Sequence, residues 1–224
     1  MAAGVARIAR DRVSRVVLIG PSHRMAVRGA AVSGATHFET PLGAVPVDAD
    51  AVRRLHAAGV GITDAPHAKE HSLEIILPFL QAALESFSIV PILAGLIDDD
   101  DREFLGRHLG ELLDDRTILI ASSDFIHYGA EFDYMPDVGR NVRAGVRKLD
   151  EEAIEYIRAM DVEKLLAFRR KTGATICGIL PIAVAMAAFP KSTRVDYVHY
   201  SQSADVSGDT GHMVSYAALA FYAP

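Results

Sequence analysis

The stretch VVLIGPSH (16–23) joins four apolar residues, a Gly20-Pro21 break and a histidine. A short run rich in β-branched residues that ends on a breaker predicts a strand buried on both faces. The signature returns at 89–93 (IVPIL) and 117–121 (TILIA), although Pro91 predicts a place away from the sheet centre for the first of these. Helical patterns lie around the runs, at about 2–12, 48–58, 74–86 and 101–113. Further on, a helical stretch at about 137–170 breaks near Met160-Asp161, where Asp161 is expected to cap a second helix, and another helix follows Gly178. The acidic run Asp98 to Asp101 reads as carboxylates at the positive end of a helix dipole. Two strands at about 194–200 and 213–222 close the chain and are expected to pair antiparallel, making the sheet mixed. Alternating α and β elements with fully apolar strands predict a layered α/β domain with helices on both faces.

The 224 residues are half hydrophobic and 23% charged, and 23 basic against 29 acidic side chains give a net charge of −6. That suits one sizeable core and offers no electrostatic foothold for nucleic acid or an anionic membrane. The lone Cys177 excludes an intrachain disulfide and fits a reducing compartment. No apolar run reaches the roughly 18 residues of a membrane span. The N-terminus has arginines and no separate apolar stretch to serve as a signal peptide, so a cytoplasmic location is expected. G-x-G-x-x-G, G-x-x-x-x-G-K-[ST] and G-x-S-x-G are all missing, which argues against a nucleotide cofactor and a serine hydrolase.

Ligands of open α/β sheets bind beyond the carboxyl ends of the strands. The first strand is followed by Ser22-His23 and the third by Ser122-Ser123-Asp124-Phe125-Ile126-His127-Tyr128, so parallel strands would deliver both histidines to one rim. Proline fits only the first turn of a helix. Pro78 therefore predicts a helix start near 73–75 with His71 at its mouth, and Pro181 places Cys177 at or just before another helix, a position that favours thiolate. Together His23, His71 and Cys177 form a candidate metal site, since imidazole nitrogen and thiolate sulfur bind Fe, Cu or Zn, and three protein ligands leave a position open. Asp124 beside it is expected to orient a histidine, and His127 to act as acid or base. Ser22, Ser123, Tyr128 and Gln202 are expected as substrate-binding groups.

In order along the chain stand GPSH (20–23), EHSLE (70–74), LPF (77–79), SSDFIHYG (122–129), TICG (175–178) and the tail 200–222. This set resembles the Memo-like (MEMO1) family, whose prokaryotic members are known as AmmeMemoRadiSam system protein B, and covers the chain from about residue 15 onward. The resemblance implies a three-layer α/β/α fold with a central mixed, mostly parallel sheet, similar to LigB-type class III extradiol dioxygenases. It also implies one Memo-like domain over 1–224, a metal site at His23, His71 and Cys177, and a pocket motif at Asp124 and His127. One transition-metal ion is implied, iron or copper with zinc as a further choice. As partners it implies an unknown small molecule or peptide and other proteins of the AmmeMemoRadiSam-type system. Three departures matter. Cys177 stands where LigB-type enzymes use a carboxylate, and a soft, oxidisable thiolate does not carry extradiol cleavage over. The upstream strand and PHAGY-like loop of the family do not precede the first helix, so either one wall of the pocket is expected to be missing or this start is truncated. Ile76 replaces a polar residue of relatives, an expected change in pocket polarity.

The leading expectation is thus a metal-binding protein with redox or oxygen chemistry on a small substrate. A non-catalytic ligand- or peptide-binding module using the same pocket is the alternative. A Cys-His hydrolase, with Cys177 as nucleophile, His127 as base and Asp124 orienting it, is a third. The local H-x-x-E-H of His67-Ala68-Lys69-Glu70-His71 matches an inverted zincin order, yet Pro78 would fall deep in the helix it requires, so the match reads as coincidence.

Overall fold

Four buried apolar residues in succession need neighbours on both edges and cover on both faces, and residues 16–19 have both. The computed structural model describes residues 2–8 and 12–223. In chain order come α1 (Ala2–Val5), β1 (Arg15–Pro21), β2 (Ala30–Val32), β3 (His37–Thr40), β4 (Gly43–Pro46), α2 (Ala49–Ala58) and β5 (Gly61–Ile62). Next are α3 (Leu77–Ala83), β6 (Ser88–Ala94), α4 (Asp99–Gly110), β7 (Thr117–Ala121) and β8 (His127–Gly129). Then follow α5 (Val142–Arg158), α6 (Val162–Thr172), α7 (Ile179–Ala187), β9 (Arg194–Gln202), α8 (Ala204–Ser207) and β10 (His212–Tyr222). Of the helical pattern at 2–12, only Ala2–Val5 is α-helix, and residues 9–11 lie outside the described residues.

The central sheet has the order β5-β2-β6-β1-β7. β1 runs parallel to β6 and β7, with Leu18 opposite Pro91 on one side and Ile120 on the other. β2 is parallel to β5 and antiparallel to β6, so the sheet is mixed and mostly parallel. Side chains of β1 alternate between two cores. Val17 and Ile19 pack with residues of α2, α4 and α7, while Val16 and Leu18 pack with Leu77 and Leu80 of α3. Helices therefore cover both faces, in an α/β fold of three layers. A further core joins α5, α6 and α7 to β9 and β10.

Two expectations about the sheet need correction. β9 and β10 do pair antiparallel, but in a three-stranded sheet with β8, and the mixed character of the central sheet comes from β2 instead. Pro91 lies on an inner strand, β6. It is tolerated there because β2 ends at Val32, opposite Ile92, so no ladder partner is left waiting for the missing N–H. The long helical pattern starts at Val142 rather than near 137, since Asn141 caps it by accepting from Ala144 N (3.1 Å). Asp161 accepts from Lys164 N (3.0 Å) and caps α6 as expected, and Asp98 caps α4 in a capping box with Asp101. Among the described residues, no helix is long and apolar enough to cross a membrane.

Candidate metal centre

β1 and β7 are neighbouring parallel strands with Ile19 opposite Ala121, so their carboxyl ends open onto one rim. His23 follows β1 by two residues, and Asp124 and His127 follow β7. The segment carrying His71 is laced between the two ends: Ser72 Oγ donates to Pro21 O (2.8 Å), and Ser122 Oγ donates to Ser72 O (2.6 Å). Gly20 permits that approach, because a Cβ there would lie 2.8 Å from both Leu73 Cδ2 and Ser72 Oγ. A 3-10 turn at Glu74–Ile76 leads into α3, with Pro78 in its first turn, and leaves His71 ahead of the helix as expected.

Cys177 arrives from the other side. Gly178 is the N-cap of α7, so the sulfur sits just before a helix N-terminus. Gly178 N donates to Ser123 Oγ (2.9 Å), and Thr175 Oγ1 accepts from His127 N (3.0 Å) while donating to His127 O (2.8 Å). These bonds hold the β7 loop against the start of α7. A Cβ on Gly178 would lie 2.3 Å from Ser122 O and 2.5 Å from Ser123 Cβ. Gly178→Ala is therefore expected to push the two segments apart and to destabilise the fold by about 1–3 kcal/mol. Chemical denaturation of the two proteins measures this, and an unchanged midpoint would contradict it.

Two groups of ligand-type atoms, each within 4.8 Å of one another, result among the described residues: His23, Glu70 and His71, and Asp124, His127 and Cys177. Glu70 Oε1 lies 3.0 Å from His23 Nδ1 and 3.2 Å from His71 Nδ1, and the two rings stack at 5.2 Å and 21°. In the second group Asp124 N donates to Cys177 Sγ (3.2 Å), and His127 Nε2 is 3.6 Å from Asp124 Oδ2, beyond hydrogen-bond range. That buried nitrogen has no hydrogen-bond partner among the described residues. His23 borders both groups, since its titration is shifted most by Cys177. The trio His23, His71 and Cys177 is not one of the two tight groups, and within it the His23 and His71 rings stack on each other.

The electrostatics follow from these neighbours. Burial pushes the Cys177 thiol up, but the imidazoles of His127 and His23 and the Asp124 N–H bring it down to about 6. Cys177, working against burial and helped by Glu70, raises His23 to about 9. Asp124 first and Cys177 second raise His127 to about 9. Around neutral pH the site is a thiolate flanked by two imidazolium rings.

The substrate-binding expectations divide. Ser123 touches the site, with its Oγ 4.0 Å from Cys177 Sγ. Ser22 Oγ is turned to Met25 O (2.6 Å) in an exposed loop. Tyr128 is buried in the core with residues of α5 and α7, and Gln202 is buried with its amide donating to Arg143 O (3.1 Å) and Tyr200 Oη (2.9 Å). Both positions are buried, and for Gln202 the amide bonds are made to protein partners. Ile76 is likewise in the core under α3, so it does not set the polarity of the pocket. His67 begins a 3-10 turn that ends at an extended Glu70, and its Nε2 lies 3.2 Å from Ala31 O, so H-x-x-E-H forms no helical face.

Sequence reasoning missed two acids. The Glu70 side chain is only 2% exposed. Burial opposes its charge, but the His23 ring and the backbone N–H groups of His23, Ser72 and His71 hold its carboxyl down at about 2. Asp150 is fully buried on α5, where Oδ1 accepts from Ile126 N (3.1 Å) and Oδ2 from Tyr200 Oη (2.8 Å), and burial pushes its acid up to about 6. Asp150 was findable, for it shares the helical stripe of Val146, Ala153, Ile154 and Ile157.

A family model described as Memo-like protein matches residues 1–220. A MEMO1 family protein of Methanosarcina acetivorans is 33% identical over 209 residues, covering 91% of this chain and 73% of that relative. One from Thermococcus onnurineus is 32% identical over 219 residues, covering 92% and 75%. Among solved structures, the uncharacterized protein JW3007 from Escherichia coli K12 superposes with a TM-score of 0.58 at 15% identity, over 92% of this chain and 86% of that one, a likeness of fold alone.

Proposed function

We propose, from the premise that this chain belongs to the Memo-like protein family, that it binds one transition-metal ion through His23, His71 and Cys177 and carries out redox or oxygen chemistry on a small molecule. The observation that carries the reading is the Cys177 sulfur, held by the Asp124 N–H just before the α7 N-terminus, together with the stacked His23 and His71 imidazoles after β1 and the 70–72 turn. Thiolate and neutral imidazole are the donor forms that bind Fe, Cu and Zn. Cys177, titrating at about 6, is already thiolate at neutral pH, and His23 would give up its extra proton on binding, so the donor set fits such an ion with proton release. Bound iron or copper would supply one-electron chemistry and an open coordination position. Asp124 keeps His127 protonated, and the buried His127 Nε2 is the atom from which a proton leaves toward a substrate at the rim. Ser123 and the Asp124 N–H hold the sulfur in place. Protein purified without metal and reconstituted with Fe(II), Cu(I) or Zn(II) is expected to retain about one ion per chain by elemental analysis, and no stoichiometric ion would overturn the proposal.

The proximity of Asp124, His127 and Cys177 favours a second reading, a Cys-His hydrolase in which Cys177 attacks a carbonyl and His127 serves the leaving group. His127→Ala separates the two, because it abolishes hydrolysis in the second reading and leaves metal content unchanged in the first.

A further inference from the structure

We infer that Glu70 is a positioning residue that fixes the tautomer of His23, placing the proton on Nδ1 and leaving Nε2 as the lone-pair nitrogen of the ring. The inference rests on the metal-binding reading for its purpose, but its geometry stands apart from it. The Glu70 side chain is buried at 2% exposure, and every polar neighbour named here is a nitrogen that can donate. Oε1 accepts from His71 N (2.9 Å) and Ser72 N (3.1 Å), and Oε2 accepts from His23 N. Those backbone bonds lock the carboxylate in one orientation before any ring approaches it. The His23 ring hydrogen-bonds Oε1 through Nδ1 at 3.0 Å, whereas His71 Nδ1 lies 3.2 Å away as an ion-pair contact without a hydrogen bond.

An ionised carboxylate only accepts hydrogen bonds, so a nitrogen held against it carries the hydrogen. In a neutral imidazole the other nitrogen then keeps the lone pair, which is the state a metal ligand needs. Free histidine has no such constraint on which nitrogen is protonated. The 70–72 turn is consequently more than a linker that carries His71. Its acid reaches across to the loop after β1 and sets the chemistry of a ring 47 residues away in the chain.

Two measurements test this. Long-range proton–nitrogen NMR of ring-labelled, metal-free protein, at a pH above the His23 titration, is expected to show the Nδ1–H tautomer at His23. An Nε2–H tautomer at His23 in the wild-type protein would overturn the inference without any reference to metal or to a variant. In the second, Zn(II), a redox-inert probe, is titrated against a chromophoric chelator. Glu70→Gln is expected to weaken binding by about 10–100-fold while the wild-type protein binds tightly. Wild-type affinity in Glu70→Gln, with the thermal midpoint unchanged, would overturn it. Should the wild-type chain bind no Zn(II), the metal reading fails, and the NMR tautomers still decide the role of Glu70.

Discussion

Cys177→Ser and His71→Ala are each expected to take the metal content of the reconstituted protein from about one ion per chain to background. Serine is nearly the same size as cysteine, but its hydroxyl stays protonated at neutral pH and offers no anionic soft donor. The His71 side chain is 57% exposed, so its truncation removes little packing and the fold should persist. Losing a ligand outright should cost more than the roughly 10–100-fold associated with losing an outer-shell partner. His127→Ala serves as the control, because His127 is not among the proposed ligands and the variant should keep its ion. Elemental analysis after desalting, beside thermal unfolding, reads all three variants. Retained stoichiometric metal in Cys177→Ser or His71→Ala would contradict the proposed ligand set.

The second large effect concerns the sulfur in the metal-free protein. Alkylation of Cys177 by iodoacetamide is expected to show a midpoint near pH 6, against roughly 8.5 for an ordinary cysteine. The thiolate persists above that midpoint and is lost as pH falls through it. At pH 7 a thiol with a pKa of about 6 is about 90% ionised, while an ordinary one is about 3% ionised, a gain of about 30-fold. A less basic sulfur is also a weaker nucleophile, and that offsets about tenfold of the gain. The shape of the profile is therefore the decisive readout: a plateau from about pH 7 upward in place of a continuing climb. His127→Ala should move the midpoint upward, since it removes one of the two imidazoles that favour the charged sulfur. A wild-type midpoint near the ordinary value would show that burial outweighs its neighbours, and both the metal and the hydrolase readings would lose their thiolate.

The parts of the fold readable from sequence are those where local pattern and tertiary demand coincide. β1 and β6 are continuous apolar runs because each is buried on both faces, and the apolar run of β7 is half-buried at the sheet edge. Pro78 and Pro181 fixed two helix starts, and with them His71 and Cys177, because proline restricts position whatever the tertiary context. The short strands β2 to β5 and β8 carry too few residues to show a period: β2 and β8 pair with the longer β6 and β10, whereas β3 and β4 pair with each other and β5 with β2. Glu70 was hidden for a different reason. A glutamate between Lys69 and His71 reads as solvated charge, and only the fold reveals that backbone N–H groups from two segments converge on it. Delivery of His23 and His127 to one rim is legible in sequence because β1 and β7 are parallel, and Asp124, His127 and Cys177 form one group as the hydrolase reading has them, whereas the separate group around Glu70 needs the bonds of the 70–72 turn.

X-ray absorption at the zinc edge of reconstituted protein tests the ligand set most directly. The expected first shell holds one sulfur at about 2.3 Å and imidazole nitrogens at about 2.0–2.1 Å, with the outer-shell pattern of two rings. A shell of light atoms alone, without sulfur and without imidazole scattering, would contradict it.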